Sequence, residues 1–206
     1  MSEAEVETGA EAEVSRDDLA AELPLYPGLG LDRITLVQSD AQRALAAQAL
    51  LAADAIGFDS ESKPTFRKGE VSTGPHLVQL ATDDHAYLFP VADAAGHALL
   101  KEILQAPGVL KVGFGLGNDR SVLKARLDIT PQNLLDLGET LRGPAHRGTV
   151  GAKVAVAHFF GQRFQKSKKT GTSNWAHPRL SERQLLYAAN DAHVALMLYR
   201  AWLKNR

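Results

Sequence analysis

Residues 55–62 read Ala-Ile-Gly-Phe-Asp-Ser-Glu-Ser, four mostly apolar positions followed by two carboxylates, Asp59 and Glu61, set one residue apart. A short apolar run bounded by polar residues has the composition of a buried strand. Strand side chains alternate between faces, so Asp59 and Glu61 point the same way and Ser60 points the other. Two carboxylates held close together repel, and burial sharpens the repulsion. The pair is tolerable where a cation sits between them, or where water screens them at the end of a strand. On this stretch alone both readings stand.

Strand and helix signals alternate outward from it. Upstream, "ITLVQ" at 34–38 has strand composition, and Ser39 caps an alanine- and leucine-rich helical pattern that stops before Ala55. Residues 24–31, "PLYPGLGL", read as a linker or turn. Downstream, residues 63–75 form a polar loop, and "HLVQLAT" and "HAYLFP" read as two strands joined by a tight hairpin at Asp83 and Asp84. A helix over 93–107 leads to the glycine-rich strand "VLKVGFG", a helix capped at Asn118, and a further strand in "LLDLGETL". The last third is helical on either side of a basic loop. The order predicts an α/β domain with a mixed five- to six-stranded sheet flanked by helices, with sites gathered at the ends of central strands.

Composition narrows the chemistry. A chain of 206 residues, 45% of them hydrophobic, suits one domain with a real core. There is no cysteine, which removes disulfides and thiolate metal sites and leaves oxygen or imidazole as metal ligands. No run approaches the ~18–20 apolar residues of a membrane span. The acidic opening lacks the basic start and apolar run of a signal peptide, so the expectation is a cytoplasmic protein with no membrane partner. Residues 1–22 carry eight acids against Arg16, net -7; the rest holds 22 basic and 16 acidic residues, net +6. The expected organisation is an acidic, disordered leader over 1–22, with a short helix opening at Ser15, and a functional domain over 23–206. A mildly basic body is compatible with a polyanionic ligand. The leader reads either as a solvated segment or as a strip that competes with nucleic acid.

Two further acids bear on the question. Asp119 opens a predicted helix just after Gly113, Gly115 and Gly117, where an acid complements the helix dipole. Asp191 lies near one helical stripe with Leu186, Tyr187 and Val194, and a carboxylate on such a stripe is costly to bury unless it is paired or metal-bound. Tyr187, four residues earlier, projects beside it. Ahead of this helix, Arg163, Lys166, Lys168 and Lys169 precede Trp175. Cations with a nearby aromatic suit single-stranded nucleic acid, although a solvated loop anchored by Trp175 has the same composition. The glycines miss the Gly-x-Gly-x-x-Gly dinucleotide fingerprint, and no serine elbow is present.

"FDSES", "VGFGLGNDRSVL" and "YAANDA", in this order, resemble the three motifs of the DEDDy 3′-5′ exonucleases, a branch of the ribonuclease H-like fold, over about residues 32–204. "KSKKTGTSNWAHPRLSERQLLYAANDA" is most similar to the Werner syndrome exonuclease domain and shares much with the ribonuclease D-like branch. The resemblance implies a catalytic set of Asp59, Glu61, Asp119, Asp191 and Tyr187. The four acids would hold two divalent cations, Mg²⁺ or Mn²⁺, with Asp59 bridging them and Asp119 reaching the second largely through water. It implies release of nucleoside 5′-monophosphates from the 3′ end of single-stranded or 3′-recessed DNA or RNA. With no helicase or helical accessory domain beside the motifs, the chain would either act alone on short or frayed ends or borrow targeting from a partner protein. The family's other branch needs a histidine five residues before the last aspartate, where Leu186 stands, and His193 falls on a different helical face. An aromatic often follows the first motif's glutamate, and Ser62 stands there instead. A nucleic-acid-binding module with this fold but no turnover is the alternative the same residues allow.

Overall fold

The computed structural model describes residues 22–67, 69–142 and 148–206. The expected leader and the helix at Ser15 fall almost wholly outside these residues. After a 3₁₀ turn at Leu31–Arg33 come β1 (Ile34–Leu36), α1 (Asp40–Leu51), β2 (Ala55–Glu61), β3 (Leu77–Ala81), β4 (Ala86–Pro90) and α2 (Ala94–Gln105). There follow β5 (Leu110–Gly113), α3 (Asp119–Leu127), β6 (Leu134–Asp136), α4 (Leu137–Thr140), α5 (Ala152–Phe160), α6 (Lys168–Gly171) and α7 (Glu182–Lys204).

Local chemistry sets the ends of the two helices that matter most for the layers. Ser39 and Ser181 each accept a hydrogen bond from the backbone of the residue three positions on, and Gln42 and Gln184 accept in return from the serine backbone N–H. Such reciprocal caps satisfy donors that a bare helix start leaves unpaired. The strands form one mixed sheet in the order β1-β4-β3-β2-β5-β6. The β2–β3–β4 meander is antiparallel, and β1, β5 and β6 add in parallel at the flanks.

Alternation along β2 divides the molecule. Ile56 and Phe58 enter a core with Val78, Leu80, Phe89 and residues of α1, α2 and α3. On the other face, α7 brings Ala188, Ala189 and Ala192 against Leu77, Ala81 and Leu88. A third cluster joins Val112 to α5 and to the second half of α7. Among the described residues no helix is long and apolar enough to cross a membrane.

The departures from expectation are local. "LLDLGETL" is strand only to Asp136, whose side chain accepts from Gly138 N–H and starts α4. Asn118 is already helical and makes no side-chain cap. The basic loop contains a helical turn, α6, capped by Ser167. The "PLYPGLGL" stretch is a strap rather than a free linker. Tyr26 N–H donates to Arg163 O, Arg163 N–H donates to Pro24 O, and the Asn190 amide pairs with both N–H and C=O of Leu29.

Candidate active site

The end of β2 lies under α7 because of one glycine. A Cβ on Gly57 would overlap the Ala192 carbonyl, so the helix backbone rests directly on the strand. That contact carries Asp191, the neighbour of Ala192, to the acids two and four residues beyond Gly57. Ligand oxygens of Asp59, Glu61 and Asp191 all lie within 4.8 Å of one another. Asp191 is buried, and Asp59 and Glu61 are half-buried.

Three carboxylates so close need positive charge. The Lys166 ammonium supplies part of it, 2.8 Å from Asp191 Oδ2. Burial, with repulsion from Asp191, pushes the Asp59 carboxyl up to about 7. Burial, with repulsion from Asp59, pushes Glu61 up to about 9. Burial also raises Asp191, against the pull of Lys166. For Lys166 itself, burial disfavours the charge, and Asp191 and Asp59 more than offset that, so it stays protonated. This oxygen-only, electron-rich donor set, three carboxylates against one ammonium, fits hard divalent cations.

Tyr187 sits one turn before Asp191, with its hydroxyl so close to Gly171 that a Cβ there would stand 2.7 Å from it. Burial, then the Asp191 charge, raises the phenol well above its ordinary value. Lys166 Nζ stands 5.5 Å from the centroid of the same ring. Tyr187 is therefore a neutral hydroxyl fixed at the rim of the cluster.

Asp119 stands apart from the three. Its carboxylate accepts at 2.7 Å from the Oγ of Ser60, the residue between Asp59 and Glu61 on β2. It is close enough to add to the repulsion on Asp59, and burial raises its own carboxyl. The turn that presents it is held by Asp136, which accepts from Gly115 N–H at 3.2 Å and Leu116 N–H at 2.8 Å. Sequence reasoning missed both Ser60 and Asp136; the strand alternation that sends Ser60 away from Asp59 was the available signal.

The basic segment divides. Lys166 faces the acids, Lys168 and Lys169 are exposed on α6, and Arg163 is exposed with its backbone committed to the strap. Trp175 does not offer a face to a base: it is 2% exposed, its indole N–H donates to Gly171 O, and its ring packs 5.9 Å from Tyr187. It anchors the loop. Among the described residues the large exposed aromatic is Phe66, 81% exposed, five residues beyond Glu61 in the chain. Phe66 and Arg67 N–H groups both donate to Glu70 Oε2, and Arg126 donates to Ser72 O at 2.7 Å. A lone aromatic beside Lys63 and Arg67 in an otherwise polar loop was the sequence signal for it.

Known proteins resemble this chain in sequence and in fold. A family model described as 3′-5′ exonuclease matches residues 34–205. The mouse protein described as bifunctional 3′-5′ exonuclease/ATP-dependent helicase WRN is 28% identical over 149 residues, 71% of this chain and 11% of that protein. An Aedes aegypti exonuclease mut-7 homolog is 33% identical over 171 residues, 71% of this chain and 23% of that protein. The chain thus spans less than a quarter of the length of these two relatives. Among solved structures, the Aedes aegypti Nibbler EXO domain superposes with a TM-score of 0.70 at 28% identity, covering 85% of this chain and 89% of that one. Escherichia coli RNase D shares the fold, with a TM-score of 0.69 at 23% identity, over 83% of this chain and 44% of that one.

Proposed function

The chain belongs to the 3′-5′ exonuclease family, and from that premise we propose that it removes nucleoside 5′-monophosphates one at a time from the 3′ end of single-stranded or 3′-recessed nucleic acid. Water attacks the terminal phosphorus, the bond to the preceding 3′ oxygen breaks, and that oxygen takes a proton as the shortened strand leaves. The observation that carries the reading is the convergence of Asp59, Glu61 and Asp191, from two elements distant in the chain, within 4.8 Å of one another.

Asp59, Glu61 and Asp191 would hold Mg²⁺ or Mn²⁺, and Asp119 would hold a second such ion largely through water. When bound, a pair of such ions supplies a nucleophile from water, neutralises the phosphoryl oxygens and assists the leaving oxygen. Tyr187, too weakly acidic to act as a base, orients the attacking water with its hydroxyl. Lys166, the cation nearest the acids, meets the phosphate of the terminal nucleotide. Lys168 and Lys169 meet phosphates further along, and Phe66 offers a face for a base.

The test compares wild type with Asp59→Ala and Asp191→Ala on a labelled strand, with circular dichroism to confirm folding. Both variants are expected to lose metal-dependent hydrolysis and keep the fold. Full activity in either folded variant removes the assignment.

A further inference from the structure

Both polar atoms of the Gln79 side chain, Nε2 and Oε1, are buried and find no hydrogen-bond partner among the described residues. Gln79 is 0% exposed, at the middle of β3. Strand register places it directly opposite Asp59 on β2, with Leu88 opposite on β4. Residues paired in this way share a face of the sheet. The face is the one under α7, because Leu77 and Ala81, two positions to either side, pack with Ala188 and Ala192, while Val78 and Leu80 enter the opposite core.

A primary amide with its full hydrogen-bonding capacity is therefore sealed opposite a carboxylate of the cluster, in a layer packed mainly by apolar side chains. Native interiors seldom leave such a group unsatisfied, and leucine or methionine would fill the space at no polar cost. Asp59 has capacity to match. Among the described residues its carboxylate accepts one hydrogen bond, at Oδ1 from Ser60 N–H. The second oxygen has none.

We propose that Gln79 is a positioning residue for Asp59: its amide N–H₂ donates to the second carboxylate oxygen, directly or through one ordered water, and fixes the orientation in which Asp59 holds a divalent cation. Gln79 touches neither substrate nor ion; it acts through Asp59, and the inference rests on reading Asp59 as a metal ligand. A central strand suits the task, since both of its edges are paired and the side chain cannot drift. Partners of this kind commonly set the affinity of the ion they do not touch.

The test is Gln79→Met, close in volume and without the amide, followed by calorimetric titration of the metal-free protein with Mn²⁺ alone and by thermal melting in chelator. Mn²⁺ affinity is expected to fall roughly 10- to 100-fold, while the metal-free melting temperature stays at or above that of wild type. Unchanged affinity overturns the proposal, whether or not the melting temperature falls. Asp59→Asn separates the two levels: if it binds Mn²⁺ as wild type does, the metal-ligand reading has failed and the Gln79 role falls with it. If Asp59→Asn loses the ion while Gln79→Met keeps it, only the Gln79 role has failed. Should Gln79→Met not fold, the wild-type protein suffices. The ¹⁵N-labelled side-chain amide of Gln79 is expected to shift on addition of Mg²⁺ and to exchange slowly, and an unmoved signal overturns the proposal.

Discussion

Trp175 and Phe66 reverse the exposures their neighbourhoods in the sequence suggest. Trp175 follows four cations yet is buried, and Phe66 sits in a polar loop yet is 81% exposed. Substitution separates them. Trp175→Ala is expected to lower stability by about 3–5 kcal/mol, the usual loss for a large buried aromatic, read by denaturant titration. Phe66→Ala is expected to leave stability within about 0.5 kcal/mol. It should raise KM for a single strand by roughly 5- to 150-fold, the equivalent of one lost base stack. A wild-type KM for Phe66→Ala removes that residue from the interface. Asp59, Glu61 and Asp191 were legible from spacing and motif because strand and helix periodicity fix which face a residue occupies. The fate of Trp175, the Ser60 contact to Asp119 and the partnerless amide of Gln79 were not, since each depends on what another segment brings against it.

At the scale of elements, the site depends on how closely α7 lies on β2. Gly57→Ala would force its new methyl against the Ala192 carbonyl, a backbone atom that cannot rotate away. The expected result is a loss of roughly 1–3 kcal/mol from overpacking together with loss of hydrolysis, as Asp191 is carried from Asp59. Full activity at unchanged stability would show that the helix does not need this contact. On α6, Lys168→Glu with Lys169→Glu is expected to weaken strand binding and flatten its dependence on salt, as fewer counterions are released. An unchanged slope would make these lysines a solvated surface only. Strand and helix order was readable because capping residues and apolar periodicity are local. The strap at residues 24–30 was not, because its pairing with Arg163 and Asn190 joins segments about 140 and 160 residues apart.

Over the whole molecule, the acidic cluster links stability to pH and to metal. In the folded state burial and mutual repulsion raise the carboxyls, with Asp59 at about 7 and Glu61 at about 9. Unfolded carboxyls lie near ~4. At these two groups the folded state therefore holds more protons over this interval, and their contribution to metal-free stability is full below the unfolded values and is lost as pH rises through about 7 and then about 9. Denaturant titrations in chelator between pH 5 and 9 should show this decline, and Asp59→Asn should flatten it; a flat wild-type profile would mean the acids are solvated. Added Mg²⁺ should restore stability most at the alkaline end, where the carboxylates are charged and the cation replaces the protons.

The most direct measurement is anomalous diffraction from crystals grown with Mn²⁺ and a short single strand. The account expects manganese between the carboxylates of Asp59, Glu61 and Asp191, with the 3′-terminal phosphate beside it. Ordered manganese elsewhere, with those three carboxylates in contact only with protein and water, would contradict it.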